Sequence, residues 1–272
     1  MKVNKVLKAK IVSIGAWGQE FHQWQDLALL LQNKKTEVEP LKSPKPEIIP
    51  ANERRRAPLP VRLAVETSWQ AVQQLSFKAN EMSCVFVSAL GDTQLTDYMC
   101  KVLAGENKQL SPTKFHNSVH NAAAGYWTIS TGCMKAANSV AAYNESVSMT
   151  LLEALTQIAV EQEPILLSFY DAPVSPVLKS LLKNEFPFSV SLVLAPSSSD
   201  IDGVNVCANF SNEIVNWGML GVENKNLNSL YQSTPTAKVL TLLKSLALLG
   251  SQKQEQLVMP LSTQSSIQLT LG

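Results

Sequence analysis

The chain is short of glycine, cysteine and histidine, and each shortage removes a class of chemistry. Of its 272 residues only 11 are glycine, and neither Gly-x-Gly-x-x-Gly nor Gly-x-x-x-x-Gly-Lys occurs. Loops that cradle phosphates with backbone amides need such glycines, so no nucleotide loop is expected. The four cysteines, Cys84, Cys100, Cys133 and Cys207, stand far apart without a Cys-x-x-Cys pair. A zinc site needs closer pairs with histidine nearby, so these read as free buried thiols in a reducing cytoplasm. No metal and no cofactor is expected. The net charge is +1, too weak a field to recruit nucleic acid or an anionic membrane. No run of 18 uninterrupted apolar residues exists, so no membrane span is expected. Phe188 to Pro196 is too short to cross a bilayer and reads as a buried strand. Lys8 and Lys10 interrupt the N-terminal segment, so no signal peptide is expected and the cytoplasm is the expected location.

What is present is an apolar fraction of 45%, ample for one large core or two small ones. Strands are expected at Ala9 to Ala16, Cys84 to Ala89, Asn138 to Ala142, Ile165 to Tyr170, Ser189 to Leu194, Val204 to Ala208, Gln256 to Pro260 and Ile267 to Leu271. Helical spacing covers Gln23 to Gln32, Val61 to Leu75, Thr93 to Leu103, Asn117 to Thr131, Glu145 to Val160 and Thr236 to Leu249. Pro176 to Lys183 reads as a further helix, with Ser175 as its N-cap. Residues 33–60 carry Pro40, Pro44, Pro46, Pro50, Pro58 and Pro60 and read as an extended loop. Residues 211–233 are rich in Asn and Ser and also read as loop. Short apolar strands alternating with helices argue for a layered α/β fold.

Three segments carry a resemblance to a known family. They are Pro50-Ala-Asn-Glu-Arg-Arg-Arg-Ala-Pro58, Val85-Phe-Val-Ser-Ala-Leu-Gly-Asp-Thr93, and Ser111-Pro-Thr-Lys-Phe-His-Asn-Ser-Val-His-Asn-Ala-Ala-Ala-Gly-Tyr-Trp127. The last runs on through Gly132 to Asn138-Ser-Val-Ala-Ala-Tyr-Asn144-Glu-Ser146. Loosely over residues 9–210 the chain resembles the β-ketoacyl synthases, and among them the short chain-length factors of bacterial aryl-polyene clusters. The resemblance implies an α/β fold of the thiolase type: the N-terminal half of a ketosynthase, layered α-β-α, with a shortened C-terminal part. Residues 1–212 would form that half, and 213–272 a short extension packed on the same core. In the active enzymes the second half supplies two catalytic histidines, whereas residues 213–272 contain none.

The family's small-residue run before its reactive cysteine is here Val140-Ala-Ala142, followed by Tyr143 and Asn144. Asn144 takes the nucleophile position, and an amide cannot form a thioester. The resemblance therefore implies a catalytically inactive subunit. Its partners would be an active β-ketoacyl-acyl carrier protein synthase and, through the complex, the acyl carrier protein. It would shape the acyl tunnel in polyene or polyketide biosynthesis. By position in the motif Phe115, Ser118, Val119 and Ala122 would face the tunnel, with Tyr143 and Asn144 at the interface. Strand 138–142 would pair or pack against its counterpart. Arg54, Arg55 and Arg56 are a candidate contact for an acidic carrier protein, although a solvated loop held by Glu53 explains them more simply.

Other chemistries have weaker footing. His116 and His120 would share a helix face at i, i+4, but a metal needs a third ligand. Cys133 follows a helix C-terminus, where the dipole disfavours a thiolate. Ser118 and Ser146 lack the Gly-x-Ser-x-Gly turn of a serine hydrolase. Ala122 to Gly125 allows close backbone approach, which suits either a subunit interface or a tight core contact. A stand-alone acyltransferase or hydrolase and a purely structural stabiliser of a ketosynthase are the alternatives.

Overall fold

Burial on both faces dictates the middle of this molecule. In a computed structural model describing residues 6–39, 43–249 and 254–272, the elements alternate as their apolar patterns require. β1 (Leu7–Gly18) leads into α1 (Trp24–Leu31), a four-residue α2 (Ala51–Arg54) and α3 (Leu59–Val72). Next come β2 (Ser83–Val87), α4 (Thr93–Ala104), α5 (Pro112–His116) and α6 (Ala122–Thr131). β3 (Ala137–Val140), α7 (Ser146–Glu161), β4 (Ile165–Asp171), β5 (Phe188–Pro196) and β6 (Val204–Ser211) follow. α8 (Lys225–Ser233), α9 (Leu240–Leu248), β7 (Glu255–Ser262) and β8 (Ser265–Leu271) complete it.

The eight strands form one sheet in the order β3-β2-β4-β5-β1-β6-β8-β7. β3, β2 and β4 run parallel, and every other neighbour is antiparallel. All residues of β4 and β5 are buried, because helices cover both faces there. On one face Phe86, Leu166, Tyr170 and Val193 pack with residues of α3 and α6. On the other, Val85, Leu167, Phe169 and Leu192 pack with residues of α1, α7, α8 and α9. The C-terminal strands join the same sheet, and Met259, Ile267 and Leu269 enter that second core.

Helix α3 sits unusually close to the sheet. A Cβ on Gly15 of β1 would lie 2.1 Å from the Thr67 carbonyl oxygen, so only glycine fits. The contact is polar as well as tight. Thr67 Oγ1 lies 2.7 Å from Ser189 Oγ and 2.8 Å from Ser191 Oγ, and Ser191 donates to Ser168 at 3.0 Å. These hydroxyls are buried and satisfy one another, as interior polar groups must. At the end of β4 the fully buried Asp171 accepts from Ser88 Oγ (2.8 Å), Leu90 N–H (3.3 Å) and Thr236 Oγ1 (2.7 Å). Burial pushes its carboxyl above the usual range, against those hydrogen bonds.

Five local expectations need correction. Residues 33–60 are not all loop: α2 forms at Ala51–Arg54, and α3 starts at Leu59 with proline in its first turn. Pro40 lies outside the described residues. The helix expected from Asn117 begins only at Ala122, because Asn117 and His120 are drawn away by tertiary bonds. Asn117 Nδ2 donates to Arg56 O at 3.2 Å, and His120 Nε2 lies 2.9 Å from Ser88 O. His116 closes α5 while His120 sits in the following turn, so the two do not share one helix face. Pro176 to Lys183 is helical only over Pro176–Leu178, and Ser175 makes no side-chain cap. Finally, residues 225–233 are helical: Asn224 Oδ1 caps Leu227 N–H at 2.8 Å, and Leu227, Leu230 and Tyr231 face the core.

Candidate functional site

The turn from β3 into α7 passes through a left-handed residue. Tyr143 has φ 47°, one of three non-glycine residues with positive φ among those described. A side chain held in the left-handed region costs energy and marks a turn imposed by its surroundings. The turn is closed by Ala142 N–H donating to Ser146 Oγ at 2.9 Å and is braced by Trp217, whose Nε1 donates to Asn144 O at 2.9 Å. A strained strand-to-helix turn is how a nucleophile is presented in several hydrolytic folds. Here the left-handed residue is Tyr143, one place before Asn144, and both side chains are exposed. Neither a phenol nor an amide forms a thioester. Ser146 is fully buried and its hydroxyl is taken up by the turn, so it is no nucleophile.

Tyr143 lines a cleft of about 590 Å³ with Leu90, Lys179, Leu182, Ser233 and Pro235. Leu90 also borders a smaller chamber of about 220 Å³, walled by Val61, Asp92, Ser118, Val119, Ala122 and Tyr170. Three of the expected tunnel residues thus meet around one chamber. Phe115 is not among its walls: its ring is 60% exposed on α5. Ala122 and Val119 also border an apolar surface groove of about 420 Å³ with Ile48, Ile49, Tyr126 and Ile129. Gly125 opens onto that groove, and a Cβ there would meet nothing within 4 Å. The glycine is therefore not serving a tight contact inside this chain.

The remaining candidates disperse. Arg54 Nη1 donates to Pro46 O at 3.0 Å, Arg56 lies 3.7 Å from Glu53, and Arg55 is exposed. His22 stacks on Trp17, with ring centroids 5.7 Å apart, and burial lowers its pKa. Cys133 is buried and donates to Met82 O at 3.3 Å, and burial pushes the Cys84 thiol up to about 12. Ser118 Oγ donates to Phe115 O at 2.7 Å rather than to a base. No group of His, Cys, Asp or Glu among the described residues could hold a metal ion. No helix among them is long and apolar enough to cross a membrane. Sequence reasoning missed Trp217, the lone tryptophan of an Asn-rich stretch, and Asp171, a lone acid closing the apolar run of β4.

The parallel β3-β2-β4 unit, the covering helices and the strained turn define a thiolase-like ketosynthase fold. Residues 22–255 match the model of the β-ketoacyl synthase N-terminal domain, and the chain belongs to that family. None of the curated proteins matches it in sequence. Among solved structures it is similar to a chain of the ketosynthase (ApeO) in complex with its chain length factor (ApeC) from Xenorhabdus doucetiae, with TM-score 0.69 and 19% identity over 97% of this chain and 99% of that one. The ishigamide ketosynthase/chain length factor gives 0.72 and 10%, over 97% and 99%. A type II polyketide complex of acyl-carrier protein and ketosynthase bound to a hexaketide gives 0.75 and 12%, over 98% and 99%.

Proposed function

We propose that this chain is a non-catalytic chain-length-factor subunit. It pairs with an active β-ketoacyl-acyl carrier protein synthase and shapes that partner's acyl tunnel in polyene or polyketide biosynthesis. The observation that carries the reading is a nucleophile turn kept in shape but emptied of chemistry. Tyr143 takes the strained conformation, Asn144 follows it, and the only hydroxyl at the turn besides the Tyr143 phenol, that of Ser146, is buried within it. The partner would supply cysteine and histidines and carry out the decarboxylative condensation. Residues 1–212 serve as the ketosynthase-like half, and residues 213–272 as an extension that completes its sheet.

The association surface in this reading is the β3 edge with the α6 groove. Ile129 and Met134 are 82% and 94% exposed there. The partner's channel ends at the chamber of Ser118, Val119 and Ala122. Arg54, Arg55 and Arg56 stand at the surface as a candidate contact for the carrier protein.

The test is Ala122→Phe in the co-expressed complex. Ala122 borders both chamber and groove, so a phenyl ring fills the chamber while the partner's nucleophile stays intact. Overpacking costs about 1–3 kcal/mol, and that penalty falls on the longest acyl intermediates. Mass spectrometry should find shorter products at near-normal early rates. An unchanged length distribution from an intact complex would favour a purely structural stabiliser.

A further inference from the structure

α3, α4 and α5 enclose a further cavity of about 470 Å³, with three cations in its lining: Arg56, Arg62 and Lys114. It adjoins the 220 Å³ chamber, sharing Pro58, Pro60, Asp92 and Asn117 with it. Arg62 is the informative residue. Among the described residues its guanidinium donates one hydrogen bond, from Nη1 to Ser43 Oγ at 3.0 Å. No carboxylate pairs with it among the described residues, and its Nε is buried without a partner. Burial pulls its pKa down from the ordinary value. Taking a charged group partly out of water without a counter-ion is unfavourable, so an anion placed here would relieve that cost.

The other walls agree. The single acid in the lining is Asp92, and its Oδ1 is occupied by the Leu95 N–H at 2.9 Å, where it caps α4. Lys114 has no carboxylate partner among the described residues either; its Nζ lies 3.5 Å from the centre of the Tyr98 ring, and both residues line the cavity. With Arg56 already 3.7 Å from Glu53, Arg62 and Lys114 remain as two cations without a carboxylate partner among the described residues. A carboxylate ligand neutralises one of them. A phosphate monoester carries about −1.5 to −2 at neutral pH and offers three acceptor oxygens, which suits an arginine and a lysine together.

We propose that this cavity binds a phosphate monoester borne on a small molecule, with Arg62 and Lys114 as its principal contacts and Arg56 as a third, solvent-exposed cation.

The experiment uses the full chain at low ionic strength with phenyl phosphate as the probe, read by ³¹P NMR and thermal unfolding. Benzoate and sodium chloride at matched ionic strength are the controls. Phenyl phosphate should shift its resonance saturably and raise the unfolding midpoint, and the controls should do neither. Arg62→Gln and Lys114→Gln should each weaken binding at least about tenfold, because each removes a charge-assisted hydrogen bond. Lys225→Gln, an exposed cation at the start of α8 and outside the cavity, should bind as the wild type. Absence of saturable binding, equal effects of benzoate or salt, or undiminished binding by the variants would overturn the assignment. Lys114 is exposed, so its variant decides the matter if Arg62→Gln does not fold.

Discussion

Single residues in this chain are constrained most where a helix or a charge is pressed against the sheet. Gly15 is one case. A methyl group there would sit 2.1 Å from the Thr67 carbonyl oxygen and 3.0 Å from the Ala71 nitrogen, so Gly15→Ala must push α3 outward and break the hydroxyl cluster beneath it. A loss of about 3 kcal/mol in urea unfolding is expected, the upper end of overpacking costs. Asp171 is the other. Asp171→Ala leaves Ser88, Leu90 N–H and Thr236 without their acceptor and should cost about 3 kcal/mol. The pH dependence has a definite sign. Burial raises this carboxyl's pKa in the folded state, so its contribution to stability is full below the unfolded value of about 3.9 and declines as pH rises through the folded value. Asp171→Asn, neutral throughout, should remove that decline, and denaturation series at several pH values would detect its persistence.

Elements were legible in the sequence where burial alone determines them. The continuous apolar runs of β4 and β5, and the spacing of α3 and α7, follow from hydrophobic pattern. Where a tertiary hydrogen bond overrides local preference, the pattern misleads. Asn117 and His120 bond to Arg56 and Ser88 instead of continuing a helix, and nothing local to residues 117–121 announces those distant partners. α8 was legible in principle, since Asn224 capping an array of Leu227, Leu230 and Tyr231 is a helix-start pattern obscured by polar composition. Of the candidate site, the small-residue turn and the chamber residues were visible. The strain at Tyr143 and the brace from Trp217 depend on chain segments some 73 positions apart. β3 offers an element-scale test. Cys84 N–H donates to Ala136 O, so by strand alternation the backbone of Asn138 also faces β2, while that of Ser139 faces the open edge. Ser139→Pro should then leave stability within about 0.5–1 kcal/mol of wild type, since proline is tolerated at an outward edge position, yet abolish partner association in co-purification. Retained association would show that this edge is not used.

For the whole molecule the proposed role makes two demands. The isolated chain should neither condense acyl and malonyl thioesters nor decarboxylate malonyl thioester, and turnover by pure protein would defeat the reading. It should self-associate or precipitate when expressed alone, and form with an active ketosynthase a complex burying more than about 2,000 Å², the range of permanent assemblies. A stable, inert monomer in size-exclusion chromatography that binds no ketosynthase would count against it. The eight-stranded sheet adds a limit of its own. Its two margins are unlike: β3 is short and bare, while β7 carries Pro260, whose carbonyl is occupied by Ser148 Oγ of α7. Templated strand addition needs a free row of donors and acceptors, and Pro260 interrupts that row on β7. Joining through β3 leaves the two interrupted β7 margins as the only sheet edges of the product. Pairing through β3 thus leaves exposed only the margin that proline interrupts, which disfavours continued edge-to-edge addition.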